Sequence, residues 1–122
     1  MYLQLAIPLL FSVLIPVPAE VQEIYKTTQA PPHSVECSCV QYAVSIGADI
    51  PVVDASHIHP TTQEPYVGAT AIFYYPNSGL HHVGVVTAVY SDSFMLLEAN
   101  YLPCEAGTRL VSLDDKRLLG FR

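Results

Sequence analysis

The chain has 122 residues and a net charge of −6, with 51% hydrophobic and 13% charged residues. This length supports one domain with its own core, and the composition is too apolar for a disordered protein. Five basic residues, three of them within the last seven positions, are too few to form the Lys/Arg patch that neutralises phosphates. DNA and RNA are therefore excluded as partners.

The first nineteen residues form an apolar segment without Asp, Glu, Lys or Arg. The segment is shorter than the ~20 residues that a spanning helix needs, and Pro8, Pro16 and Pro18 interrupt a regular helix. Its end, "VPA" at 17–19, has the small-residue character of a signal-peptide cleavage site, although no basic residue precedes the apolar run. We predict a signal-like or membrane-anchor segment over 1–19, through which the protein associates with a membrane. A buried apolar arm of the domain is the alternative.

Residues 20–33 combine polar side chains with a Pro pair, a composition typical of a linker, so the folded domain is predicted over 34–122. Apolar residues recur at helical spacing in "CVQYAVSIG", with Ser34 or Ser38 as the candidate N-cap and Gly47 as the residue that ends the helix. This pattern places Cys39 in the first turn of a helix.

Strands are predicted after this helix. A loop with at most one short element leads to a strand in "ATAIFYY", followed by a turn in "PNSG". The runs "HVGVVTAVY" and "FMLLEANY" flank "SDS" and predict an antiparallel hairpin, and a further strand is expected at 108–112 before a short tail. A helix followed by several strands predicts an α+β domain in which the cysteine-bearing helix packs on an antiparallel sheet.

The three cysteines cannot all pair, and Cys37 and Cys39 are too close in sequence to bridge each other readily. A helix N-terminus favours the thiolate form of Cys39 and offers its backbone N–H to an oxyanion. Cys37 is the competing nucleophile because it lies just before the predicted helix. Cys104 is expected to pack in the core, or to pair with Cys37 if the domain is exported.

The predicted hairpin supplies a base and a group to orient it. If the turn centres near Ser91, His82 lies opposite Asn100, and Glu98 lies diagonally across on the same face. A register shifted by one residue would put His81 in that position instead. The spacing therefore permits a Cys–His site with a third polar residue.

Four motifs resemble the cysteine, histidine-dependent amidohydrolase/peptidase (CHAP) family in order and approximate spacing. They are "CVQYA" at 39–43, "PYVGATAIFY" at 65–74, "HVGVV" at 82–86 and "LLEANY" at 96–101. The resemblance implies a papain-like α+β fold, and it implies cleavage of amide bonds in bacterial peptidoglycan without a cofactor. It also implies an exported, membrane-associated or virion-associated location at the bacterial cell wall, as in phage lysins and virion-associated lytic proteins.

Carried over by position, the resemblance implies a Cys39 nucleophile and a His82 base. Glu98 and Asn100 end the next strand, and one of the two is expected to orient His82. The sequence departs from the family at Ala69, where an acidic residue usually follows the glycine. No acidic loop like that of calcium-binding members precedes the cysteine, so no calcium site is predicted, and a separate wall-binding domain is not predicted within these residues.

Other interpretations involve different chemistry. A zinc site could use His57 and His59 with Asp54 and a thiol, but these residues lie in an irregular loop and lack a recognised ligand spacing, so no metal site is predicted. An NlpC-type peptidase shares the order of cysteine and histidine, but the "EAN" stretch disfavours it. The alternative from another class is a non-catalytic phage virion or membrane-associated structural component that keeps the fold. Neither the bond cleaved nor the oligomeric state is predicted.

Overall fold

The computed structural model describes residues 27–29 and 33–122 of the chain. These residues form an α+β domain, as predicted. Its elements are α1 (Cys39–Ser45) and the strands β1 (Thr27–Gln29), β2 (Thr70–Tyr75), β3 (Leu80–Val89), β4 (Ser93–Ala99), β5 (Glu105–Ser112) and β6 (Leu118–Phe121). Short 3₁₀ turns cover Val35–Cys37 and Ala55–His57. Within these described residues, no helix has the length and apolar character needed to cross a membrane. The predicted signal or anchor, residues 1–19, lies outside them.

The helix begins and ends at residues with the expected capping chemistry. The Ser38 hydroxyl accepts a hydrogen bond from the backbone N–H of Gln41 at 3.2 Å, which makes Ser38 the N-cap of α1. Ser34 instead precedes the first 3₁₀ turn. Gly47 follows the last turn with a φ of 109°, a backbone conformation that favours glycine. The prediction that Cys39 lies in the first helical turn is confirmed.

The strands form one antiparallel sheet in the order β1–β5–β4–β3–β2–β6. The predicted hairpin is β3 and β4, and Val86 lies opposite Leu96. Nearer the turn, Ala88 lies opposite Met95, so an irregularity between Val86 and Ala88 shifts the register by one residue. Beyond that irregularity, the register is the one expected for a turn centred near Ser91. Because side chains alternate along a strand, the register puts His82 and Glu98 on the same face of the sheet.

Buried side chains form two hydrophobic clusters, one on each face of the sheet. Neighbouring residues of β2 alternate between them, with Ile72 in the first cluster and Ala71 and Phe73 in the second. Val40 and Ala43 of α1 are buried in the first cluster, and the helix contacts both β3 and β4. This packing fixes the start of α1 near the start of β3 and the end of β4.

Two short strands were not predicted. β1 lies inside the segment 20–33 that was expected to be a linker, and its backbone pairs with the outer edge of β5. A three-residue edge strand needs no alternating pattern, so its composition indicated a linker instead. The expected tail forms β6, which pairs with β2, because Phe121 is buried against Phe94 with a ring-centroid distance of 5.2 Å.

Candidate active site

Cys39 is the free cysteine of the described residues. Its competitor Cys37 forms a disulfide with Cys104, which is the pairing expected for an exported domain. The Cys39 thiol is half-buried at the first position of α1. Only one of the two neighbouring cysteines is therefore available as a nucleophile.

His82 lies buried on β3, with 6% of its surface exposed. Its Nε2 donates to Glu98 Oε1 at 2.7 Å, and the imidazole also shares a hydrogen bond with the Cys39 thiol. Since Nε2 is bonded to the carboxylate, Nδ1 is the ring nitrogen left for the thiol. His81 packs against Tyr74 instead, with ring centroids 4.7 Å apart. Both histidines line the cleft beside Cys39, but His82 is the one bonded to Glu98 and to the thiol.

Glu98 is the group that orients His82, and only 1% of its surface is exposed. Its other contacts are with Arg109, whose Nε donates to Oε2 at 2.7 Å and whose Nη2 donates to Oε1 at 3.1 Å. A Cβ at Gly84 would lie 2.8 Å from Leu96 Cγ and 3.1 Å from Glu98 Cβ. Glycine in the "HVG" motif therefore leaves the space that the side chains of β4 occupy.

Asn100 has a different position from Glu98. It is exposed, its φ is 63°, and its Oδ1 accepts a hydrogen bond from the backbone N–H of Cys104 at 2.9 Å. The side chain thus closes the loop after β4, while the oxygen bonded to His82 belongs to Glu98. Asn100 reaches the site as part of the wall of the cleft.

Arg109 is a residue of the site that the sequence patterns do not identify. It lies on β5, and its guanidinium carbon is 3.9 Å from the centroid of the Tyr101 ring. Glu98 pairs with Gly107 across the sheet, so Arg109, two residues further along β5, is its diagonal neighbour. The signal that could have identified it is a lone cation in the predicted strand at 108–112, on the strand next to "LLEAN".

The electrostatic interactions favour charged forms of all three central groups. Burial would raise the pKa of the Cys39 thiol, but the hydrogen bond and positive charge of His82 outweigh burial and hold that pKa below its ordinary value. Burial would lower the pKa of His82, but its hydrogen bonds with Cys39 and Glu98 raise it overall. Burial would also raise the pKa of Glu98, but hydrogen bonds from His82 and Arg109 lower it overall. The balance favours a thiolate, an imidazolium and a carboxylate.

A cleft of about 430 Å³ opens beside the thiol. Its lining includes Cys39, His82, Tyr75, Leu80, Asn100 and Tyr101. A carbonyl group bound there would reach both the sulfur and the imidazole, which is the geometry that nucleophilic catalysis requires.

The residues considered for a zinc site have another arrangement. The Asp54 carboxylate accepts from the backbone N–H of Ser56 at 3.0 Å and thereby caps the 3₁₀ turn at Ala55–His57. In the described part of the chain, no group of three or more His, Cys, Asp or Glu side chains could hold a metal ion. Ala69, where the family usually has an acid, is fully buried in the second cluster.

Comparison of the chain with models of known protein families, with curated proteins and with solved structures gave no match.

Proposed function

We propose that the protein is a cysteine-dependent amide hydrolase that cleaves peptidoglycan. The observation that carries this proposal is the continuous series of contacts from the free thiol of Cys39 through His82 and Glu98 to Arg109, with the thiol open to a cleft. A hydrogen bond between a free thiol and a buried, carboxylate-bound histidine is the arrangement that activates a cysteine nucleophile, and packing of a structural cysteine does not require it.

The reaction begins with attack of the Cys39 thiolate on an amide carbonyl carbon. A C–S bond forms and the carbonyl oxygen becomes an oxyanion, which the backbone N–H of Cys39 is placed to stabilise. When the oxyanion collapses, the C–N bond breaks and the imidazolium of His82 gives its proton to the leaving amine. His82 then deprotonates a water molecule, which attacks the thioester carbon and releases the acid and the thiolate.

Glu98 orients the imidazole in this proposal. Its bond to Nε2 fixes the ring so that Nδ1 faces the sulfur, and its charge stabilises the imidazolium during acylation. Asn100 shapes the cleft wall and holds the loop that follows β4.

Peptidoglycan is the substrate favoured by the resemblance to the CHAP family. The order of the elements also supports this assignment. The cysteine starts a helix, the histidine lies on a following strand and the glutamate on the next strand, which is the order in a papain-like fold. The disulfide suits an exported or virion-associated protein, because such bonds persist in oxidising surroundings.

Digestion of purified peptidoglycan tests the proposal. Full-length wild type, Cys39→Ala and the control His59→Ala would be incubated with walls of several chemical types, and released fragments identified by mass spectrometry. Fragments from wild type and His59→Ala, but not from Cys39→Ala, are expected, and they would identify the bond. Equal release by all three proteins would contradict a Cys39 nucleophile. No release from any wall by folded protein would contradict the proposed substrate and favour the structural-component alternative.

A further inference from the structure

Arg109 is a nearly buried cation on β5, with 16% of its side chain exposed. It donates hydrogen bonds to both carboxylate oxygens of Glu98, at 2.7 and 3.1 Å. The Glu98 side chain is fully buried. Paired bonds between a guanidinium and a carboxylate fix orientation as well as charge, which a single ammonium cannot do.

Aromatic side chains hold the guanidinium in place. Its carbon lies 3.9 Å from the Tyr101 ring centroid and 5.7 Å from that of Phe73, and Nη2 donates to the Tyr75 hydroxyl at 3.4 Å. Stacking on aromatic faces favours a cation at this position. The arginine is therefore fixed on its faces by rings and at its edge by the carboxylate.

The net charge of the buried groups links Arg109 to the reactivity of the Cys39 thiol. A Cys39 thiolate, a His82 imidazolium and a Glu98 carboxylate together carry one net negative charge, and Arg109 makes the group neutral. A buried net charge is strongly unfavourable, and proteins usually relieve it by a change of protonation. Without Arg109, protonation of Glu98 is the simplest relief, and a neutral Glu98 would no longer stabilise the imidazolium.

We infer that Arg109 is a positioning residue that acts through Glu98: it keeps the carboxylate ionised and aligned on His82, and thereby keeps Cys39 reactive. This inference deepens the proposed function and rests on its Cys39–His82 pair, but not on the identity of the substrate. Arg109 touches neither the thiol nor the imidazole in the contacts described above.

The charged and titratable groups around this site come from every element packed on it. Glu98 faces His82 on β3 and Arg109 on β5. Arg109 also faces Tyr75 on β2, Tyr101 in the loop after β4 and Asp115 in the turn before β6, and Asp115 is paired with Arg117. Cys39 on α1 faces His82. A shift in the pKa of Cys39 on substitution of Arg109 must therefore pass through Glu98 and His82, or act directly over a longer distance.

The test is the pH dependence of Cys39 alkylation by iodoacetamide, measured by intact mass on the full-length, disulfide-bonded protein. For Arg109→Met, the apparent pKa of Cys39 is expected to rise by roughly one unit, which lowers the alkylation rate about tenfold at pH values well below the wild-type pKa and by less near it. Arg109→Lys keeps the charge without the paired bonds and is expected to shift the pKa partway. A wild-type profile in either folded variant would overturn the inference.

A double-variant comparison separates positioning from a direct charge effect and does not depend on the stability of Arg109→Met. Glu98→Gln is compared with Glu98→Gln combined with Arg109→Met, in which the whole ion pair is absent. If Arg109 acts through Glu98, the second substitution leaves the Cys39 pKa unchanged. A further shift as large as in the wild-type background would overturn the inference. Because the probe is iodoacetamide, failure of peptidoglycan cleavage and failure of this inference are distinguishable.

Discussion

Glu98 makes the two contacts on which the electrostatics of the site depend. Its buried carboxylate lies between His82 and Arg109 and is bonded to both. Removal of one member of a buried ion pair leaves the other charge without compensation, and the usual loss is about 3 kcal/mol or more of folding free energy. The same residue is therefore expected to matter for stability and for reactivity.

Glu98→Gln is predicted to destabilise the protein most at neutral pH and least in acid. The pKa of Glu98 is lowered in the folded protein, so its contribution is present above the unfolded-state pKa and is lost as the pH falls through the folded-state pKa. Urea unfolding of both proteins between pH 3 and 7 measures the difference. Asp54 and Asp115 also have lowered pKa values, but they contribute equally to both proteins. His82 does not, because Glu98 raises its pKa, so the slope is measured at the acid end of this range, where His82 is protonated in both proteins and adds a constant amount. A stability difference that stays constant across this range would contradict the prediction.

The candidate site was predictable from sequence to the extent that strand register determines it. Cys39 follows from a helix start, but the shared face of His82 and Glu98 also depends on the one-residue register shift between Val86 and Ala88, which the turn position alone does not predict. Arg109 did not follow, because its place beside Glu98 depends on pairing between β4 and β5. The choice between Glu98 and Asn100 also needed the structure, since the left-handed backbone at Asn100 turns that residue into the loop.

At the scale of elements, β3 can hold His82 against Glu98 because the strand has a glycine, Gly84, where a side chain would block the approach of β4. Gly84 lies between His82 and the centre of the strand, and its Cα faces Leu96 and Glu98 on β4. The close approach lets the carboxylate lie over the strand and reach the imidazole. Packing of β3 against β4 and the His82–Glu98 contact are therefore coupled.

Gly84→Ala is predicted to destabilise the fold and weaken the site together. The added methyl group would lie 2.7 Å from Leu96 Cδ1, so Leu96 and Glu98 must move, with an expected loss of about 1–3 kcal/mol. Thermal unfolding measures the stability, and iodoacetamide alkylation measures the apparent pKa of Cys39, which is expected to rise. Unchanged values of both quantities would show that the two strands have room for the methyl group.

The elements with local signals were predicted, and those that depend on distant partners were not. Capping residues located α1, and alternating residues with turn signals located β2 and the hairpin. β1 and β6 are short, and each pairs with a strand distant in sequence, so neither carries a periodic pattern of its own. The sequence therefore predicts the helix and the hairpin, whereas the two edge strands resemble a linker and a tail.

At the scale of the whole molecule, the Cys37–Cys104 disulfide joins the two segments that flank the cleft. Cys37 precedes the nucleophile helix, and Cys104 ends the loop that contains Asn100 and Tyr101. The bond spans 67 residues of sequence, so it restricts the unfolded chain strongly. The same covalent link therefore holds the cleft wall in place and stabilises the domain.

The double variant Cys37→Ser/Cys104→Ser is predicted to lose about 4 kcal/mol of unfolding free energy, from the chain entropy released when a loop of this length is opened. Urea unfolding under non-reducing conditions measures the loss, with Cys39→Ser as the matched control that keeps the disulfide. A loss below about 1 kcal/mol relative to that control would contradict the predicted role of the bond.

The most direct test of the central claim, that His82 activates Cys39, is the rate of Cys39 alkylation by iodoacetamide as a function of pH. The comparison is between wild type, His82→Ala and His81→Ala, with the modified residue located by peptide mapping. We predict that Cys39 in wild type titrates below the free-thiol pKa of about 8.5, that His82→Ala raises this pKa because burial is then opposed only by the backbone hydrogen bonds from Val40 and Val83, and that His81→Ala leaves it unchanged. A wild-type thiol that titrates near 8.5 and does not respond to His82→Ala would contradict the account.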